Sequence, residues 1–490
     1  MPNPFSTNRP QSLYAALVLL GVALTFGGAS RYEVGTTIIA RLTALGVLVY
    51  LFWRRHGSSL RIGRSELIFW IALFAVPLIQ LIPLPWSVWT ALPGRGLARD
   101  VFVALGDQPW MTISLSPSRT LDFLLALFVP FAAYLVGSHL DFPARAVILR
   151  TILAFALVDA VLGLVQLSTG PGGGFYFYSI TNDDASVGLF SNANHLGLFL
   201  AGSIVIALAW LGDSMTTSGR IAAPAAIACA IAVCVLLFGI AGTASRAAAV
   251  FSVIAIVGGL LMLPLERVGL KKRYVFGGAG VVALLLAAGL GLLLSGRVMS
   301  DRFQLKDAAT DRINLIPQFI RAVHDFFPFG SGLGSFEPVF KSYEKASQLN
   351  FGYWNQAHQD YFQTAIEAGL AGIVLIVLFL GWYVVRIVGI FRHGDDSSRV
   401  RRQQTSAALF FLLILLHSAG DYPMRTAAMA CVAGFLAAFL TAPEKNEPRR
   451  RGGQDDLGDG AFRLYDRNQD VVAAATVDRG DATQGGDHYS

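Results

Sequence analysis

Charge is scarce in this chain. Only 14% of its 490 residues are Asp, Glu, Lys or Arg, where a soluble domain carries about 25%. So small a polar supply does not cover the surface of a water-soluble protein of this length. Cysteine is almost absent. Cys229, Cys234 and Cys431 all lie inside apolar runs, with neither metal-ligand spacing nor a disulfide framework, and read as small packing residues. No internal repeat of fixed period is present. GSGLG at 330–334 lacks the Lys-Ser/Thr that completes a phosphate loop. Asp466, Asn468 and Asp470 imitate the start of a calcium loop, but Val471 stands where glycine is required and the closing glutamate is missing. The pair Asp183 and Asp184 has no helix-spaced His or Glu beside it, so no metal and no cofactor are expected. The net charge of +6 does not indicate nucleic acid as a partner, because the basic residues sit in short clusters between apolar runs, which is the usual topology signal.

What the chain has in excess is apolar residues, 54% of the total, in runs near the ~20 residues that cross a bilayer. The expected fold is all-α and polytopic, with about twelve membrane spans. The first five are Leu13–Ala29, Thr36–Trp53, Leu67–Leu84, Leu121–Ser138 and Ala146–Leu167. Four follow at Leu196–Leu211, Ile221–Ile240, Ala247–Leu265 and Tyr274–Leu294. The last three are Gly369–Phe391, Thr405–Gly420 and Thr426–Thr441. The first run follows a single positive residue, Arg9, and is read as a retained helix, not a cleaved signal.

Basic clusters orient this set. Arg54, Arg55, Arg61 and Arg64 follow span two, and Arg267 with Lys271, Lys272 and Arg273 follow span eight. Arg392, Arg399, Arg401 and Arg402 follow span ten; Lys445 and Arg449, Arg450 and Arg451 follow span twelve. All four fall on one side, which the positive-inside rule makes cytoplasmic, with both termini on that side.

Three regions result. Residues 1–187 hold spans one to five and an outer loop at 85–120. Residues 188–442 hold the remaining spans and a longer outer loop at 295–368. Residues 443–490 form a polar tail, expected to be disordered. In the first loop Trp86, Trp89 and Trp110 suit the interfacial belt. In the second, Ile313, Ile316, Phe319, Ile320 and Val323 recur at helical spacing, predicting an amphipathic helix that GSGLGSF, residues 330–336, ends.

Polar groups gather on the outer side. Arg246, in GTASRAAAV at the mouth of span eight, either snorkels to the head groups or clamps an anion; its small neighbours leave room for a bulky ligand. Arg312 opens the amphipathic helix, and its alternatives are a salt bridge to Asp301, Asp307 or Asp311 or a second anion contact. Arg321 is a weaker candidate of the same kind. Two guanidiniums facing one pocket need an anion between them, and a diphosphate matches their forked donors. His358, in AHQDYF before span ten, titrates near neutral pH and is read either as an interfacial aromatic anchor or as a base. Helical spacing would put it on one face with Tyr361, Phe362 and Ala365. Glu367 lies near enough to orient a ring or bind an acceptor. Asp421, in HSAGDYPMR, positions His358, neutralises Arg246 or pairs with Arg425. Asn192 and Asn194 read as caps of span six, and His195 beside them as a further polar group. Asp159, in the middle of span five, should face the bundle interior.

The Ser-Arg pair at a span mouth, the outer loop with GSGLGSF, the histidine opening the next span and HSAGDYP near the end together resemble the O-antigen ligase and polymerase superfamily. The motifs run from about Gly188 to Pro423. The resemblance implies a GT-C-like membrane glycosyltransferase of the bacterial inner membrane with a periplasmic active site. It implies a glycan donor on undecaprenyl diphosphate, and lipid A-core or a carrier-linked glycan as acceptor. By resemblance His358 activates the acceptor, while Arg246 and Arg312 bind the diphosphate. Family members often carry Asn after that histidine; here it is Gln359. The alternatives from other classes are a flippase or transporter of lipid-linked glycans, which binds near the midplane, and a non-catalytic assembly subunit.

Overall fold

A computed structural model describes residues 9–32, 34–54, 62–215, 223–264, 314–345, 354–393 and 398–441. The expected ninth span, Arg312, Ile313 and the polar tail lie outside them.

Apolar runs become the first helices, α1 (Arg9–Phe26), α2 (Thr37–Arg54) and α3 (Arg64–Gln80), the last of which continues through Pro77. The first outer segment follows, with β1 (Pro83–Leu84), α4 (Trp86–Trp89), α5 (Gly96–Leu105) and β2 (Met111–Thr112). The bundle resumes in α6 (Pro117–Ala126), α7 (Phe128–Ser138), α8 (Phe142–Thr169), α9 (Ala193–Ser214), α10 (Ala223–Thr243) and α11 (Arg246–Leu261). The second outer segment holds α12 (Ile316–Phe326) and α13 (Phe336–Phe340). The chain then returns through α14 (Asp360–His393), α15 (Ser398–His417), a 3₁₀ turn (Pro423–Arg425) and α16 (Ala427–Phe439).

Each of the other eleven expected spans falls on a helix. Among the described residues, five helical stretches are long and apolar enough to cross a membrane by themselves: Pro117–Ser138, Phe142–Thr169, Ala193–Ser214, Ala223–Thr243 and Asp360–Arg392. The others are shorter or carry more polar residues. The expected fourth span is two helices, α6 and α7, joined at Leu127.

Local chemistry sets the starts. Asp141, Asn192, Ser245 and Thr426 each accept a backbone N–H of the first turn with the side chain, which satisfies a donor that a helix start leaves open. Small residues set the packing. A Cβ on Gly434 would lie 2.9 Å from Ala133 Cβ, and one on Gly239 2.7 Å from Ala160 Cβ. Helices in lipid associate through such close approaches, since lipid tails offer no hydrophobic drive. Helix α9 is the hub: 89% of its apolar window is buried, against 28% for α10 and 17% for α14. The exposed faces of α10 and α14 carry Ile231, Phe238, Val377 and Val385, the side chains a hydrocarbon environment accepts.

The two outer segments form one cap. Pro83 pairs with Thr112 and Leu84 with Met111. Trp89 is fully buried and donates its indole N–H to the Thr112 carbonyl at 2.9 Å. It is therefore a core residue of the cap, not the interfacial anchor its type predicted. Trp110 stays exposed. Arg95, also buried, donates to the carbonyls of Pro93, Ile113 and Gly330, and its guanidinium lies over the Phe326 ring. Burial lowers its pKa to about 10. Arg95 thus staples the first outer segment to the second.

GSGLGSF ends the amphipathic helix and grips the start of α14. Ser331 N–H donates to the Ile366 carbonyl and Gly332 N–H to the Glu367 carbonyl, at 2.9 and 2.8 Å. Gln80 donates to the same Glu367 carbonyl and accepts from Leu333 N–H. Helix α14 breaks at Gly369 (φ 55, ψ −138), where the Gly330 backbone comes close enough that a Cβ would sit 2.7 Å from its nitrogen. On α12, Phe319 faces the core as its spacing predicted, but Ile320 is 55% exposed.

Gly332 has φ 109, and a Cβ there would lie 2.7 Å from Ser114 Cα, a backbone atom with little room to move. Gly332→Ala is expected to cost about 1–3 kcal/mol through strain and to lower the melting temperature of the detergent-purified protein. An unchanged melting curve would show that the loop is not clamped in this conformation.

Candidate active site

The helix ends that carry the polar candidates meet at one end of the bundle. Their loops are laced by backbone hydrogen bonds. Ala428 N–H donates to Gly27 carbonyl, Ser191 to Gly28, Ser186 to Gly242 and Asp360 to Ser418. The starts of α9, α11, α14 and α16 therefore share one end with the finish of α15. Arg246, His358, Glu367 and Asp421 all lie at that end.

His358 precedes α14 instead of lying on it. Its φ of 54 is outside the helical region, so the expected common face with Tyr361 and Phe362 does not form. Its Nδ1 is 3.0 Å from the Gln356 carbonyl. Donation of that N–H makes Nε2 the basic nitrogen of the neutral ring. The ring is held edge-on by Trp354, at 5.4 Å between centroids, and by Tyr422, at 4.8 Å.

Tyr422 also meets His195, at 5.0 Å. Its neighbour Asp421 is almost fully buried between two imidazoles, with His195 Nε2 and His417 Nε2 each 3.7 Å from a carboxylate oxygen. Those spacings are ion-pair distances, longer than a hydrogen bond. Shorter contacts come from Asn194 Nδ2 at 2.8 Å and from Tyr422 N–H at 2.9 Å. Burial opposes ionisation of Asp421, yet the flanking imidazoles of His195 and His417 hold its carboxyl well below the usual carboxylate range. Of the two expected caps, Asn192 does cap α9, whereas Asn194 serves Asp421.

Arg425 does not pair with Asp421. It bridges Asp360, at 3.4 Å, and Glu367, at 3.0 Å. Ser418 Oγ donates to Asp360, while Gln363 Nε2 and Phe336 N–H donate to Glu367. Burial alone would lower the Arg425 pKa, but the carboxylates of Glu367 and Asp360 raise it. Glu367 thus joins the GSGLGSF loop to the 3₁₀ turn, and no contact of it with the His358 ring is seen among the described residues.

Arg246 is the first residue of α11 and is exposed. Its side chain makes no ion pair or hydrogen bond among the described residues. The close fit of Gly197 on Ala248, where a Cβ would leave no room, sets the α11 start against the α9 start. Arg321 is exposed on the outward face of α12, and Arg312 is outside the described residues. Asp159 is fully buried and accepts from Leu189 N–H at 3.3 Å, so it faces the interior as expected.

Sequence reasoning overlooked Arg95 and underrated His195, His417 and Arg425. For Arg95, a lone arginine between Pro93-Gly94 and an apolar helix gives no period or motif to read. His195 and His417 belonged to motifs already noted, but their convergence on one carboxylate is a tertiary fact.

Residues 230–377 match the family model described as O-antigen ligase. The matched stretch takes in Arg246, Arg312, GSGLGSF, His358 and Glu367, and stops short of Asp421. No curated protein matches the chain.

Two outcomes test the site's framework. Arg425→Gln leaves two buried carboxylates without their cation, a loss of about 3–5 kcal/mol, expected as a sharp fall in melting temperature; a fall no larger than that of a surface substitution would show the bridge to be dispensable. Asp421 has a depressed folded pKa, so its contribution is present above its unfolded value of about 3.9 and is lost as pH falls through the folded value. Asp421→Asn should therefore be less stable than wild type at pH 7, with the difference closing only below about pH 4. A gap that closes between pH 6 and 5 would mean that the carboxylate is not held ionised.

Proposed function

Starting from the O-antigen ligase segment at residues 230–377, we propose that this multi-pass membrane protein is a glycosyltransferase. It takes a glycan from an undecaprenyl-diphosphate carrier and joins it to an acceptor hydroxyl at the periplasmic face of the bacterial inner membrane. In this reading the chain crosses twelve times and both termini are cytoplasmic. The observation that carries it is the convergence of Arg246, His358 and Asp421 at one end of the bundle, with His358 held so that Nε2 is its basic nitrogen.

The chemistry then runs without a metal. Arg246 and Arg312 hold the diphosphate and offset the charge that grows on it as the glycosidic bond breaks. His358 Nε2 takes the proton of the acceptor hydroxyl, a step worth about 10² to 10⁴ in rate. The acceptor oxygen attacks the anomeric carbon as the bond to the diphosphate breaks, and the diphosphate leaves with the electron pair. Attack opposite the leaving group inverts the anomeric centre. Asp421 and Glu367 support this arrangement from behind. Asp421 fixes Tyr422, which packs on His358, and Glu367 fixes the start of α14. Arg321, exposed on α12, is a weaker candidate of the same kind for an anion.

His358→Ala is expected to insert and purify normally and to lose transfer, measured with reconstituted protein and a carrier-linked glycan; full activity would remove His358 from the reaction. Arg246→Lys keeps the charge and loses the forked donors, so a large loss is expected, and wild-type rates would reduce Arg246 to an anchor of α11.

A further inference from the structure

The first outer segment carries a helix with an open apolar face. No residue of α5 is buried. At helical spacing Leu97, Val101 and Leu105 share one side, and they are 70, 52 and 73% exposed. Ala98 and Phe102 flank that side and are half-buried, with the Phe102 ring edge-on to Trp86 at 6.1 Å between centroids. Arg99 and Asp100 stand opposite, paired with each other at 2.9 Å; Val103 falls among them. Contiguous apolar side chains left so open mark an interaction surface.

The height of α5 identifies what meets that surface. On α14 the exposed apolar stripe begins at Leu370 and continues through Val374 and Val377. Leu370 N–H donates to the Pro328 carbonyl at 2.9 Å, which sets Phe327 and Phe329, both exposed, at the top of the stripe. The Phe329 carbonyl accepts from Gln80 Nε2 at 3.4 Å. Gln80 ends α3, where Ile79 and Ile82 are exposed as well. Ser114 N–H returns to the Gln80 carbonyl at 2.9 Å, so the excursion 81–113 leaves and rejoins the bundle at this level. Arg95 then reaches the Gly330 carbonyl at 3.0 Å, and α5 starts at the next residue. One arginine side chain therefore separates the start of α5 from the level at which α3 and α14 enter the apolar layer. Through these bonds the exposed face of α5 continues the lipid-facing belt of the bundle.

We infer that α5 is an interfacial anchor: with Phe327 and Phe329 it forms a collar whose apolar side sits in the head-group boundary of the leaflet beside the cap. Amphipathic helices lie there with the apolar face sunk about 5–10 Å. Trp110, exposed just beyond the turn that ends α5, suits the same boundary. Arg99 is spent on Asp100, so the attraction comes from apolar burial and needs no anionic lipid. The collar also sets the height of the cap. Arg95 ties α5 to the Gly330 carbonyl, and the loop that starts there grips the first turns of α14. The inference stands apart from the transfer reading.

The test uses the full-length protein, one copy per nanodisc, in phosphatidylcholine alone. Cys234→Ala removes the exposed thiol, and the buried Cys229 and Cys431 stay. A fluorophore is then placed by Leu97→Cys, Val101→Cys or Leu105→Cys, and on the polar side by Arg99→Cys. Lipids with a nitroxide high on the acyl chain should quench the first three about threefold more than the fourth, and aqueous iodide should do the reverse. Iodide quenching at 97, 101 and 105 equal to that at 99 would overturn the anchor. So would shielding of all three from both quenchers, which would mean that protein covers the face. A second measurement needs no substitution: phosphatidylcholine with a diazirine near its head group should crosslink to α5 peptides of the wild-type protein. Adducts confined to the long membrane helices would equally overturn the anchor.

Discussion

The bridge from Arg425 to Asp360 and Glu367 is the interaction on which the active end depends. It joins three pieces of chain that are far apart in sequence: the 3₁₀ turn before α16, the first turns of α14 and, through Glu367 and Phe336 N–H, the GSGLGSF loop. The group is buried, so each charge is tolerable only with its partners in place. Ser418 and Gln363 satisfy remaining lone pairs, as a buried polar network requires. His358 lies two residues before Asp360, and Asp421 lies four before Arg425. The His358 ring and its neighbours therefore inherit their positions from this bridge.

The backbone around the bridge is correspondingly constrained. Gly330, Gly332, Gly334 and Gly369 all have positive φ, and the first and last approach each other through backbone atoms. A loop that donates N–H groups to the Ile366 and Glu367 carbonyls must lie flat on α14, and side chains would hold it off. The break at Gly369 turns the first turns of α14 away from its long apolar part. That polar first section can then belong to the outer cap while the rest faces lipid.

Much of this was legible in the sequence, and the parts that were not share a cause. The helices were readable because lipid imposes one requirement, a long apolar helix, and composition reports it directly. The motif residues were readable because polar side chains are rare here and stand out at helix ends. What stayed hidden was pairing. HSAGDYPMR offered Arg425 as a partner for Asp421 four residues away, but the fold gave Arg425 to Asp360 and Glu367 and gave Asp421 to two histidines. Sequence distance says little about such choices, since three elements meet there. His358 was placed on a helical face by spacing alone; its positive φ shows the local backbone following the Gln356 contact instead of helical propensity. Trp89 was assigned to the interface by residue type, but a short hairpin of Pro83–Leu84 and Met111–Thr112 offered its indole a buried acceptor.

The distribution of cations carries the functional argument furthest. A bundle with so few charges spends almost all of its described outer arginines on carboxylates or carbonyls: Arg41, Arg95, Arg119 and Arg425 each have fixed protein partners. Such arginines shape walls and hold loops, and have little left for a phosphate. Arg246 differs, being exposed at a helix start whose dipole also favours negative charge. The unspent cation at the α11 start therefore marks that side of His358 as the one suited to an anion, while the paired arginines leave the Gln356 side close to neutral.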